Sequence, residues 1–391
     1  MVGNLVTSMP MYVCTFWSVL LLVDVLNNRQ TAKKRLLAYM LTTTALYACH
    51  YIFFNRQTTL IPFTNTVYTV ANLAVFPLYY IYLKEVTEPT WNHRWQWLLL
   101  VPAAVGGLAV GTLYALMEPA ERTTFINDYL YHNQMATSGG LVWWQGAVHQ
   151  AAKLVFALQI PPVLVLGLRK IRRYNETVEA CYADTDDRRL HLMTTILVLF
   201  VVTSFISFGA NALGRYRFAD STWLLLVPSA VFSVLQFMLG YAGYHQRFTA
   251  SDLVRDMRIA EDTPEPSAAR EDVNEGTQPG KMAELQQKLT DAVGRDHIYL
   301  QPDLKITDVA ALLHTNRTYV SRVLKEQMGT TFADFINRQR IDYACQLMSR
   351  QPDLPASEVA AQSGFSSQSS FYRNFKLYKG CAPKDYHPAQ T

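Results

Sequence analysis

Two stretches near the C-terminus carry the side chains best suited to chemistry. The first reads ITDVAALLH, then Thr315 and Asn316, then RTYVSRVLKEQMG; the second reads ASEVAAQSG and, a few residues on, QSSFYRNFKLYKG. Each has the spacing of two short amphipathic helices joined by a tight turn. In the second helix of the first pair, Val320, Val323 and Leu324 share one face, and Thr318, Ser321, Arg322 and Lys325 share another. In the second pair Phe371, Phe375 and Tyr378 form the apolar face, with Ser369, Tyr372, Arg373 and Lys376 turned away from it. A guanidinium can bridge guanine O6 and N7, and hydroxyls can meet other base edges. Lysine ammonium groups pair with phosphates, which sets register without reading sequence. Periodicity alone fits a plain helical bundle with solvated basic residues equally well.

These faces need elements to hold them. Thr315 or Asn316 can cap the helix that begins at Arg317 by accepting from free backbone N–H groups. A leading helix is expected over 283–293. A longer one, over 332–348, carries Phe335, Ile336, Gln339 and Tyr343 at helical spacing. Its rise of roughly 26 Å suits two basic helices set about one DNA turn, ~34 Å, apart.

Residues 300–387 resemble the DNA-binding domain of the AraC/XylS family of transcription regulators over that domain's whole length, less than a quarter of this chain. The most specific run is Gly364, Phe365, Ser370, Phe371, Arg373, Phe375, Lys376, Gly380, Pro383 and Tyr386. Two positions depart from the family pattern: Ala382 stands where Ser or Thr is usual, and His387 where Arg is common. The resemblance implies two helix-turn-helix units, each with one helix crossing the DNA backbone and the next entering the major groove. By position in the motif it makes Arg317, Thr318, Ser321 and Arg322 base-facing in the first unit, and Ser369, Ser370, Tyr372 and Arg373 in the second. Arg373 can also brace a phosphate or the fold. Lys325 and Lys376 become phosphate contacts. The partners expected are double-stranded promoter DNA, RNA polymerase and a second copy of the chain.

The rest of the chain has different chemistry. Half of the sequence is hydrophobic and only 17% is charged, against roughly 25% in soluble proteins, which argues against a single soluble globule. Residues 1–245 hold 17 Lys+Arg and 12 Asp+Glu, clumped between uncharged runs at 1–23, 36–55, 57–83, 95–117, 190–213 and 222–244. A seventh run, 146–168, is uncharged except for Lys153. Runs of about 18 residues or more are long enough to cross a bilayer as helices. The connections after spans one, three and five hold twelve Lys+Arg; those after spans two, four and six hold four. The positive-inside rule then places the N-terminus outside and everything after Tyr244 in the cytoplasm. The expected fold is all-α: a seven-span bundle over 1–245, an acidic flexible linker over 246–280 and a helical DNA-binding domain over 281–391, anchored in the cytoplasmic membrane.

Polar residues inside the spans gather in the outer half: His50, Asn65, Asn72, His149, Gln150, Lys153 and Asn211. Intramembrane ionisable groups mark functional sites by default, so these seven form a candidate pocket for a small ligand; helix-to-helix adhesion and snorkelling of Lys153 are the plainer alternatives. Five cysteines form no C-x-x-C pair, and no P-loop, G-x-S-x-G or H-E-x-x-H run occurs. No enzyme, metal or cofactor chemistry is expected. Two function classes remain: a membrane-bound one-component regulator, or a small transporter or membrane enzyme with a regulatory DNA-binding domain. A transporter favours two matching halves, into which seven spans divide poorly.

Overall fold

The structure is a computed structural model that describes residues 2–28, 30–88, 93–137, 139–186, 188–213, 222–246, 248–262 and 279–386. Among these there is no strand; one isolated antiparallel bridge joins Tyr182 and Lys305. The chain divides into two compact units. The first is Met1–Arg172 with Leu190–Gln246, and the second is Arg173–Arg189 with Arg247–Thr391. The sequence reading assigned 173–189 to the apolar region, whereas its contacts lie with the C-terminal region.

Seven apolar helices build the first unit: α1 (Val2–Asn27), α2 (Thr31–Phe54), α3 (Ile61–Thr87), α4 (Val101–Leu116), α5 (Leu141–Cys181), α6 (His191–Leu213) and α7 (Thr222–His245). Six lie within stretches long and apolar enough to cross a membrane, and α6 adds the shorter apolar stretch Leu192–Ile206. α1 packs on α2 and α7, α2 on α3, and α3 on α4. The core is aromatic: Tyr39, Phe76 and Tyr79 surround Phe200 at centroid distances of 6.4, 5.0 and 5.4 Å. Trp17 fills the notch left by Gly240, where an added Cβ would lie 2.3 Å from its ring.

β-branched residues are poor helix formers in water, yet α2 carries Thr42, Thr43 and Thr44 in a row. Their hydroxyls donate to carbonyls one turn back, Thr42 to Ala38 at 2.8 Å and Thr44 to Met40 at 2.8 Å. Such back-bonding removes hydroxyl groups from an apolar surround. Prolines inside α1, α3, α5 and α7 (Pro10, Pro77, Pro161, Pro162 and Pro228) are likewise a habit of membrane helices. Asp24 pairs with Lys33 at 2.7 Å. The outward side chains are large and apolar: Leu26, Phe63 and Leu158 are each 73% exposed.

The second unit holds α8 (Ala250–Asp262), α9 (Pro279–Asp296), α10 (Ile306–Leu312), α11 (Arg317–Arg322), α12 (Phe332–Arg350), α13 (Ala356–Gln362) and α14 (Gln368–Lys379). α11 runs into a π-type turn, Val323–Gln327. The leading helix is longer than the periodicity indicated, because Met282, Leu289 and Val293 bury one side of it. The expected linker begins as the helix α8, and 263–278 lies outside the described residues.

Candidate nucleic-acid interface and polar groups of the apolar unit

Both helix pairs close as the sequence indicates. In the first, Asp308 caps α10 by accepting from the Lys305 N–H at 2.8 Å, and Asn316 caps α11 by accepting from the Tyr319 N–H at 3.1 Å. Val309, Ala310, Val320, Val323 and Leu324 are buried between and beneath the two helices. In the second, Ser367 accepts from the Ser370 N–H at 3.1 Å, and Gly380, at φ +78, ends α14. Phe371 and Phe375 are fully buried with Ile341, Ala344, Val359 and Phe365, while Tyr378 is only partly covered.

Between the pairs, α12 holds a buried cation. The Arg340 side chain is 0% exposed. Its Nε donates to the Tyr299 carbonyl at 2.6 Å and its Nη2 to the Gln301 carbonyl at 2.7 Å. The guanidinium also lies 5.6 Å from the centre of the Phe365 ring. Burial lowers its pKa to about 10, opposed by the charges of Asp184 and Asp303. α14 is tied to α12 by Lys379 and Asp342 at 2.8 Å and by Tyr378, whose hydroxyl donates to Asp334 Oδ1 at 3.0 Å. Lys379 is raised above its usual value, chiefly by its hydrogen bond to Asp342.

The candidate DNA-facing residues divide by exposure. Thr318, Lys325, Ser369, Arg373 and Lys376 are exposed; Arg317, Ser321, Arg322 and Tyr372 are half-covered. Arg322 leans on Tyr319, 5.9 Å from the ring centre, with Glu326 at 3.9 Å. Ser370 is the correction: it is 2% exposed, and Asn374 donates to its carbonyl at 2.9 Å. The third residue of α14 points into the core, so its hydroxyl has no outward face. Gln368, exposed one turn before Tyr372, was missed. The signal was available, since Gln368, Tyr372 and Lys376 follow one another at i, i+4 and i+8. His387 lies outside the described residues.

The seven polar residues of the apolar unit do not form one group. His50, Asn72 and Lys153 line a cavity of about 410 Å³, which is otherwise walled mainly by apolar side chains such as Phe76, Phe156 and Phe200. Asn65 and His149 do not line it. Asn65 Nδ2 donates to the Tyr114 hydroxyl at 3.0 Å and to His149 Nε2 at 2.7 Å, while His149 Nδ1 bonds the Gln145 carbonyl at 2.7 Å. An imidazole that accepts at Nε2 and donates at Nδ1 is in a single neutral tautomer, which makes this a structural knot joining α3, α4 and α5. Gln150 is exposed and absent from the cavity lining, because it sits one residue round the helix from His149. The Asn211 side chain lies outside the described residues. Among those described, no cluster of three or more His, Cys, Asp or Glu side chains is placed to hold a metal ion.

A family profile described as a helix-turn-helix domain matches residues 309–388. The probable transcriptional regulator LumQ of Photobacterium leiognathi is 32% identical over 106 residues, 27% of this chain and 42% of that protein. The transcriptional regulatory protein HptR of Staphylococcus aureus (strain bovine RF122 / ET3-1) is 33% identical over 86 residues, 22% of this chain and 33% of its own. An uncharacterized HTH-type transcriptional regulator of Staphylococcus aureus (strain MSSA476) is 30% identical over 89 residues, 23% of this chain and 12% of that one. The chain thus spans less than half of each of these relatives. No solved structure matches. The C-terminal unit carries a helix-turn-helix domain of the AraC type, and its similarity is to proteins named as transcriptional regulators.

Gly364 tests this fold. Its φ is +80, and an added Cβ would stand 2.7 Å from the Leu300 carbonyl oxygen, part of a backbone that cannot swing aside. Gly364→Ala should destabilise the unit by about 2 kcal/mol or more, since the left-handed conformation alone costs 1–2 kcal/mol. Thermal unfolding of the detergent-purified protein followed by circular dichroism measures it; an unchanged midpoint would contradict the close approach.

Proposed function

We propose that this chain is a membrane-bound one-component transcription regulator, without catalytic activity. The observation that carries the reading is one chain holding both a helix-turn-helix domain at 309–388 and seven apolar helices with apolar outer faces. In water, so many exposed large apolar side chains, Phe63, Leu108 and Leu158 among them, would be an aggregation hazard; in lipid they are ordinary. The twelve-to-four Lys+Arg imbalance supports an outside N-terminus and a cytoplasmic C-terminal domain in the inner membrane. Reporter fusions after Arg35, after Arg173 and at the C-terminus should then read cytoplasmic, and a fusion at Asn133 external. A cytoplasmic signal at Asn133 would refute the arrangement.

On promoter DNA, Arg317, Thr318, Ser321 and Arg322 would read bases from α11, and Gln368, Ser369 and Tyr372 from α14. Lys325, Arg373 and Lys376 would hold phosphates, RNA polymerase would be the downstream partner, and two copies of the chain would share one site. Arg322→Ala should weaken specific binding by about 1–3 kcal/mol, as loss of a bidentate guanine contact does. Lys325→Ala should weaken all sequences alike and reduce the salt slope by about one unit. Anisotropy titrations on selected and random duplexes separate the two. Equal losses on both duplexes for Arg322→Ala would remove it from the base-reading set.

For sensing, the cavity beside His50, Asn72 and Lys153 suits a largely apolar small molecule with a polar or anionic head. Lys153 also lies 5.6 Å from the Tyr129 ring centre, which positions its ammonium group. Lys153→Met keeps the bulk and removes the charge. It should cut the amount of small molecule co-purifying with the protein by roughly tenfold, the worth of one charge-assisted hydrogen bond, as read by mass spectrometry of solvent extracts. Equal recovery from both proteins would take the cavity out of the sensing role.

A further inference from the structure

The segment Arg173–Arg189, made of the C-terminal end of α5 and most of the connection that follows it, is part of the second unit. It is anchored there by backbone. The Ala183 N–H donates to the Leu304 carbonyl at 3.0 Å, and Asn337 of α12 donates to the Ala183 carbonyl at 2.9 Å. Tyr182 and Ala183 are both fully buried. One flank of this anchor reaches a DNA-reading helix: Asp186 forms an ion pair with Arg373 of α14. Asp186 is only 16% exposed, and Arg373 still 50% exposed.

We propose that this acidic segment is an autoinhibitory strap. It occupies, on the second helix-turn-helix unit, a guanidinium that DNA would need, with the Asp186 carboxylate standing where a backbone phosphate would bind. Strap and DNA then exclude one another, and the measured affinity is the intrinsic one reduced by the fraction of molecules with the strap released. The proposal rests on the DNA-binding reading above. The partner surface is the chain's own loop, chosen by three matched features: a carboxylate for a guanidinium, a buried aromatic plug in Tyr182, and hydrogen bonds to both backbone groups of Ala183.

The test uses the full chain in lipid nanodiscs and a fluorescein-labelled duplex of random sequence, because a phosphate competitor acts on any sequence. Asp186→Asn should tighten binding about three- to tenfold. It should also steepen the salt dependence by about one unit, since one more phosphate contact forms. Glu179→Gln makes the same change in net charge, but Glu179 pairs with Arg189 at 2.6 Å and not with a reading helix; it should leave the affinity unchanged. Asp186→Glu, which keeps the carboxylate, should behave as the parent. If the parent binds DNA and Asp186→Asn binds no tighter, or if Glu179→Gln tightens it equally, the strap is overturned while the regulator reading stands. If neither the parent nor Asp186→Asn binds any duplex, the regulator reading itself fails and the strap falls with it.

Discussion

A buried guanidinium organises the second unit. Arg340 has no access to water, and an ionised group in that position is tolerated only when hydrogen bonds and opposite charge replace its hydration. The carbonyls of Tyr299 and Gln301 meet that demand, so the short run from Ile298 to Leu304 must lie against α12. The same run does two further things. Its Leu300 carbonyl lies so close to residue 364 that only glycine fits, which seats the turn of the second helix pair. Its Leu304 carbonyl accepts from Ala183, which seats the strap. One charge on the middle helix therefore fixes both helix-turn-helix units and the loop that lies across them. Asp184, on that loop, helps to hold the cation charged.

The first unit follows a different constraint. Helices with no charged face must, wherever their surroundings are apolar, satisfy polar groups among themselves. The threonine run of α2 turns inward on its own backbone, Gln236 donates to the Tyr39 hydroxyl at 3.0 Å, and Asn65 donates to both Tyr114 and His149. Each hydrogen bond between helices is worth only about 0.6 kcal/mol on average in such surroundings. Their effect lies more in fixing which faces meet than in total stability. Glycines complete the selection: a Cβ at Gly107 or Gly243 would collide with Val70 or Leu36.

Much of this was legible in the sequence, and the reasons for the exceptions are specific. Apolar runs located seven helices because length and lack of charge are local properties. The two helix pairs were legible because Asn316, Ser367, Gly364 and Gly380 are turn and cap residues at fixed offsets. Ser370 was misread because a serine three residues after a cap can face either way, and only the path of α14 decides. Arg340 was passed over since a charged residue breaks the apolar pattern that marks a core position. Asn65 and His149 were grouped with Lys153 by position along the apolar runs, a coordinate the sequence supplies, whereas their rotation about the helix axis was not available. The strap was invisible for a similar reason. CYADTDDRRL reads as an ordinary charged connection until Tyr182 and Ala183 are seen buried against Leu304 and Asn337.

The strap changes how a signal could travel. From sequence, an acidic linker after the seventh helix is the sole route between the two regions, and a flexible linker transmits little. The strap offers a second covalent route. Only nine residues separate the end of α5 at Cys181 from the start of α6 at His191, so the strap is joined in sequence to both helices. A ligand can move such an equilibrium only by its difference in affinity for the two states, and a swing from 1:99 to 99:1 needs about 5.5 kcal/mol. One half-exposed ion pair contributes at most about 1 kcal/mol, so breaking the Asp186–Arg373 contact alone yields a graded response. A full switch requires the anchor to leave as well, exposing the Tyr182 ring and separating the hydrogen bonds at Ala183. By linkage the reverse holds too: DNA that captures Arg373 favours the released strap, and so favours whichever arrangement of α5 and α6 permits it.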